Sequence, residues 1–167
     1  MFEGYEIVVW FVLIVASITD LRWGKIYNHL TLTSMGAGVL VRLGLEGTAS
    51  ISITLSSIAI AFVFFFPLYY LKTLAAGDVK LLMAIAPWGN SQWVIRLSLT
   101  SILLGALVGL FILIKKNGIL KSAASMARAF HSPKTTNEKM TRMPFAPAFF
   151  CSFLFLKISE AKGWLFF

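Results

Sequence analysis

Two aspartates stand beside apolar runs in a chain that otherwise keeps its charges apart. Asp20 closes the first run, in Ile18-Thr19-Asp20-Leu21-Arg22. Asp78 opens a later one, in Leu74-Ala75-Ala76-Gly77-Asp78-Val79-Lys80-Leu81-Leu82. An ionisable residue next to a membrane span is costly and is a candidate functional group by default. Two carboxyl groups held close cannot both ionise, so they share one proton. The ionised partner can take a proton from water, and the protonated partner can donate to the carbonyl oxygen that the water attacks. Such a pair titrates as a unit, and its chemistry is hydrolysis of the aspartic-protease type. The sequence has no Ser/His or Cys/His constellation, no His-Glu-x-x-His and no phosphate-cradling glycine loop to compete with it.

Plainer readings stand beside this one. Asp20 ends its predicted helix, where the dipole opposes a carboxylate, so its place asks for a reason. Asp78 begins a predicted helix, where an aspartate cap is ordinary. Lys80 reads either as an interface lysine that snorkels or as a supporting group. Asn28 suits the start of the second helix as a cap. His29 and His131 are isolated and read as solvated or interfacial residues.

The elements that must position these groups are apolar blocks. The 167 residues are 58% hydrophobic and 13% charged, with mean hydropathy +0.82. A soluble domain is about half apolar and about a quarter charged. The blocks predict an all-α polytopic membrane protein of about six transmembrane helices. They run from about Gly4 to Ile18, Leu30 to Leu45, Ile51 to Leu71, Val79 to Pro87, Trp93 to Ile114 and Met143 to Ile158. The fourth is shorter than the roughly 20 residues a span needs, so its neighbours must shield it. Pro67 is expected to kink or end the third span. Gly36, Gly38 and the Gly105/Gly109 pair are expected at close helix contacts. Glu3 and Glu6 precede the first run, where a cleavable signal would carry Lys or Arg, so that span reads as a retained anchor.

Residues 1–167 therefore read as a single integral membrane domain with a basic loop at 115–142. Within that loop 119–130 suits an amphipathic helix on the lipid surface. The net charge of +8 fits cytoplasmic loops and anionic headgroups, not nucleic acid, because no aromatic residues interleave the basic ones. With the N-terminus outside, eleven of the fifteen Lys and Arg residues fall on the cytoplasmic side. Only Arg42, Arg96, Lys157 and Lys162 fall on the other. That bias sets the orientation and brings Asp20 and Asp78 to one membrane face. Cys151 is the sole cysteine, which excludes an internal disulfide and a paired-cysteine zinc site. It reads as a small packing residue.

These motifs resemble the type IV prepilin peptidase and preflagellin peptidase family of intramembrane aspartic proteases. The family carries one aspartate in a context like Asp-x-Arg…Ile-Pro-Asn, and this chain has Asp20-Leu21-Arg22 and Ile26-Tyr27-Asn28. The second lies in Gly-x-Gly-Asp before a Val-Lys-Leu-like run, and this chain has Ala75-Ala76-Gly77-Asp78-Val79-Lys80-Leu81. Met143-Pro144-Phe145-Ala146-Pro147 is similar to the family's proline-rich entry to its last span. The resemblance implies a catalytic pair of Asp20 and Asp78, supported by Gly77, Lys80 and Asn28, with no metal and no cofactor. It implies cleavage of the short basic leader of prepilin-like membrane proteins at the cytoplasmic face of the cell membrane. Two departures stand out: Ala75 replaces a glycine and Tyr27 replaces a proline. Glycine reaches positive φ at little cost, so Gly77 is expected to be the bending point. The family's long form adds a cysteine-bearing cytoplasmic domain that methylates the new N-terminus. The likeness is closer to the peptidase-only small form of Flp-type pilus systems or flagellin processing.

Two rival readings have other signatures. An ion-coupled carrier would use Asp20 and Asp78 to bind a proton or cation, and no repeat relates the two halves as many carriers require. A non-catalytic membrane subunit of a secretion machine would tolerate Asp20→Asn. Substrate identity and oligomeric state are not written in these residues.

Overall fold

The computed structural model describes residues 3–71, 73–117 and 145–163. Lys72, residues 118–144 with the expected surface helix and most of the basic loop, and the Met143-Pro144 entry lie outside the described residues.

The described residues form a one-turn 3-10 helix (Glu3–Tyr5) and six α-helices. These are α1 (Glu6–Trp23), α2 (Asn28–Glu46), α3 (Ser50–Tyr70), α4 (Ala76–Ile85), α5 (Ser91–Asn117) and α6 (Ala146–Ala161). A 3-10 turn, Ala86–Trp88, extends α4. The all-α expectation holds throughout these residues.

Local chemistry sets most of the boundaries. Gly24 takes a left-handed conformation (φ 60°) after α1, and its N–H closes on the Asp20 carbonyl at 2.9 Å. Such a cap needs glycine because a Cβ is strained there. Asn90 starts α5, its Oδ1 accepting the Trp93 N–H at 2.8 Å. Pro67 does not end α3, which continues to Tyr70. It sits in the last turn of the helix, which goes on for three residues beyond it.

Helix directions alternate along the chain. Glu6 at the start of α1 pairs with Lys157 near the end of α6, so these two helices are antiparallel. Asn28 meets Lys80, and farther along Arg42 meets Pro87 and Gly89, so α2 and α4 are parallel. Ser57 meets Ser91, so α3 and α5 start together. In the packed bundle α4 lies against α2 and α3, α6 lies against α1 and α5, and α3 joins the two groups.

The core is apolar, with Leu13, Phe65, Leu81, Leu82, Ile85, Leu97, Phe149 and Phe153 fully buried. Buried with them is an unusual number of polar residues, including Ser34, Arg42, Thr54, Ser57, Ser98, Ser101 and Ser152. Large apolar side chains point outward instead: Ile7, Phe11, Ile14 and Ile18 form one exposed face of α1. Leu99, Leu103, Leu107 and Phe111 do the same on α5. Continuous exposed apolar faces of this kind are foreign to a water-facing surface.

Among the described residues, α3 and residues Ser91–Phe111 of α5 are long and apolar enough to cross a bilayer. Glycine packing is selective. Gly38 lets α2 approach the end of α4, since a Cβ there would stand 2.8 Å from Pro87 Cβ. Gly105 takes the ring of Phe145, whereas Gly36 faces open space. Cys151 is exposed on α6, contrary to its reading as a packing residue.

Candidate active site

Asp20 and Asp78 reach the same end of the bundle. Asp20 occupies the last turn of α1, Asp78 the first turn of the antiparallel-related α4, and both are buried. Topology alone predicts one membrane face; the packing of α1 against α4 adds that both carboxyl groups are buried at the same end of the bundle.

The unfavourable place of Asp20 on its own helix has a tertiary explanation. Its Oδ2 accepts the backbone N–H of Ala146 at 3.1 Å, and the Phe145 N–H lies nearby. These donors are the free N–H groups at the start of α6, which carry a positive partial charge. One helix end opposes the carboxylate and another holds it. Burial pushes the Asp20 carboxyl above its ordinary range, and the Ala146 and Phe145 donors pull it back.

Asp78 is held more locally. Its Oδ2 accepts the Ala75 N–H at 3.1 Å while its own N–H donates to the Ala75 carbonyl at 3.1 Å. This is half of a capping box, since alanine has no side-chain acceptor. Both the cap reading and the site reading of Asp78 therefore describe the same residue. Asp78 lies on the loop side of the apolar run that follows it. Burial pushes its carboxyl up to about 7; the Ala75 N–H lowers it, and the charge of Asp20 raises it further. The environments of the two groups thus differ, with the fuller set of backbone donors at Asp20.

The supporting residues join the two motifs. Lys80 Nζ donates to Asn28 Oδ1 at 3.1 Å, tying the start of α2 to the first turns of α4. Asn28 is not the cap of α2: that position is Tyr27, which makes no side-chain capping bond. Gly77 is not a left-handed bending point either. It lies inside α4, and the positive-φ glycines among the described residues are Gly24, Gly47 and Gly163. Its reason is close approach, since a Cβ on Gly77 would stand 3.3 Å from Ile26 Cβ.

Neither departure from the family pattern disturbs the backbone. Ala75 has φ −83° and ψ 153°, extended geometry that alanine adopts freely. Tyr27 has φ −74° and ψ 130°, within the range that proline would fix. Its ring rests against Trp23.

Three features of the site are not legible as such in the sequence. The first is the start of α6 on Asp20; the proline-rich segment signals a helix entry but not its target. The second is Ser17, one turn before Asp20, whose buried hydroxyl has no hydrogen-bond partner among the described residues. Other buried hydroxyls, such as those of Thr54, Ser98 and Ser101, bond back to their own helices. The third is a mostly apolar groove of about 360 Å³ between α2, α3 and α4. Leu32, Met35, Phe62, Phe66 and Met83 line it, and Ala76, Val79 and Lys80 bring it alongside Asp78. Among the described residues, no three His, Cys, Asp or Glu side chains cluster as a metal ion would require.

The sequence model of the type IV leader peptidase family matches residues 7–110, a stretch that holds both aspartates, Asn28, Gly77 and Lys80. The chain belongs to the type IV leader peptidase family. Membership makes it a peptidase by class and, with its two apolar helices, a membrane protein. No curated protein and no solved structure matches the chain.

Proposed function

We propose that this protein is a membrane aspartic endopeptidase that removes the short basic leader from type IV prepilin-like precursors, of the Flp-type pilin or flagellin-like kind. Asp20 and Asp78 are the catalytic pair. The observation that carries this reading is placement: residues 58 positions apart in sequence are both buried at one end of the bundle, where α1 packs against α4.

In this mechanism the pair holds one proton at rest. Asp20, supported by the Ala146 and Phe145 N–H groups, is the better carboxylate and takes a proton from the attacking water. Asp78, more deeply buried with its carboxyl near 7, keeps its proton and gives it to the carbonyl oxygen of the scissile peptide. Collapse of the tetrahedral intermediate returns a proton to the leaving amine, and the two groups exchange roles.

All six helices cross the cell membrane in this reading, with the N-terminus outside and the site near the cytoplasmic face. The alternating helix directions, the outward apolar faces and the bias of eleven basic residues against four support it. The bilayer and the prepilin-like substrate are the partners, and Asp20 and Asp78 lie just beyond the apolar runs, where a leader leaving the membrane would meet them.

Co-expression with a leader-bearing type IV prepilin tests the reading by gel shift. Asp20→Asn and Asp78→Asn should each abolish processing while the protein still inserts, and the double variant should be no worse than either. Normal processing by either inserted variant would sink it and favour a non-catalytic subunit.

A further inference from the structure

The two ends of α4 are held very differently. With its 3-10 extension α4 has 13 residues, Ala76 to Trp88, or about 20 Å at helical rise. That is short of the roughly 30 Å hydrocarbon layer. A helix that stops early leaves its last carbonyls without intrahelical partners, away from water.

A stripe on α2 supplies the missing donors. Arg42 Nη1 donates to the Gly89 carbonyl at 2.7 Å and to the Pro87 carbonyl at 3.3 Å. One helical turn nearer the site, Gly38 leaves room for Pro87 and Trp88. One turn farther back, Ser34 Oγ donates to the Ala84 carbonyl at 3.1 Å and accepts the Trp88 Nε1–H at 3.1 Å. Arg42 is only 5% exposed. Its Nε pairs with Glu46 at 3.1 Å, which orients the guanidinium and offsets its charge. An arginine suits this place because it stays protonated and carries several donors in a fixed plane. It also complements the negative end of the helix dipole.

At the Asp78 end, by contrast, the described side-chain hydrogen bond from α4 to a neighbouring helix is the exposed Lys80–Asn28 contact. Among the described residues the buried polar anchors of α4 stand at the far end, and α4 is a continuous helix between them and Asp78.

We propose that Arg42, together with Ser34, is a positioning residue for the reaction: by fixing the C-terminal end of α4 it sets where Asp78 stands relative to Asp20. Arg42 touches no reacting atom and works through the axis of α4. The inference rests on Asp20 and Asp78 being the reacting pair. An error in placement of about 1 Å at a reacting group can cost about a hundredfold in rate, so a remote anchor can matter to turnover.

The test uses the full chain, purified and reconstituted, with a leader-bearing type IV prepilin as the probe. Arg42→Ala, Arg42→Lys and Ser34→Ala are compared for kcat and KM. In parallel, the rate of oxidative cross-linking between Asp20→Cys and Asp78→Cys is measured in a Cys151→Ala background, with and without each change. A disulfide requires Cα atoms within about 7 Å, so its rate reads the approach of α1 and α4 directly.

Arg42→Ala should lower kcat by about tenfold or more with KM nearly unchanged, and slow the cross-link by at least about fivefold. Arg42→Lys, which keeps the charge and a donor, should recover much of both, and Ser34→Ala should fall between. Should Arg42→Ala fail to accumulate in membranes, Arg42→Lys and Ser34→Ala decide the question: both unchanged in kcat and cross-linking overturns the proposal. Lost turnover with undiminished cross-linking overturns it as well. Failure of the catalytic pair itself would show separately, as processing by Asp20→Asn, because the cross-linking arm needs no activity.

Discussion

At the residue scale the two aspartates differ in what surrounds them, and that difference has measurable consequences. Asp78 is an acid whose carboxyl stands near 7 in the folded protein, above its ordinary value. In the proposed mechanism the pair is competent while it holds one proton. The value of kcat/KM should therefore trace a bell, with the alkaline limb near pH 7 as the shared proton is lost. A profile flat through that region would exclude a shared-proton pair. Stability follows the same group with a definite sign. An acid whose folded pKa is raised favours the folded state below its unfolded pKa, and that contribution is lost as pH rises through the folded value. Asp78→Asn cannot ionise, so its thermal midpoint in detergent should gain on the parent protein as pH rises from about 4 to about 7, and the gain should level off above that. A constant gap between the two midpoints would show that Asp78 pays no burial cost when charged.

At the scale of elements, the first turn of α4 and the entry to α2 form one unit. Gly77 is present because Ile26 packs onto it. Gly77→Ala should lower activity through that contact, and Ile26→Gly, which removes the Cβ it would press on, should restore part of the loss. Ala75→Gly should change activity by no more than about twofold, since Ala75 is already relaxed and glycine adds only the entropic cost of a freer chain. A severe loss in Ala75→Gly with an active Gly77→Ala would reverse this assignment. The Lys80–Asn28 bond is exposed, so Lys80→Met and Asn28→Ala should each cost no more than about 1 kcal/mol in stability. A double-mutant cycle should return a coupling of similar size. Zero coupling, with either single change inactivating, would mean that one of these side chains contacts substrate.

At the scale of the whole molecule, the bundle is apolar inside and also outside: serines, Thr54 and Arg42 are buried among the core residues, while isoleucines, leucines and phenylalanines face outward. The outward faces fit lipid, and several buried hydroxyls, those of Thr54, Ser98, Ser101 and Ser152, bond within their own helices, where no water is required. Thiol labelling in a Cys151→Ala background tests the orientation. Lys25→Cys and Ser132→Cys should react from the cytoplasm, and Thr48→Cys only from outside. External labelling at Lys25→Cys would invert the topology and separate the site from a cytoplasmic leader.

What the sequence determined by itself was what local chemistry and periodicity can encode. The apolar blocks became helices within a few residues of their expected bounds, with α1 and α4 extended to include Asp20 and Asp78. The aspartates, Gly77, Lys80 and Asn28 were legible because their types and neighbours form recognisable motifs. Tertiary structure decided what those groups touch. The Ala146 N–H lies 126 positions from Asp20, the Gly89 carbonyl 47 from Arg42 and Lys80 52 from Asn28. No local propensity specifies such partners. Each depends on which faces of separate helices meet, and on backbone groups at helix ends, which every sequence supplies and only packing directs.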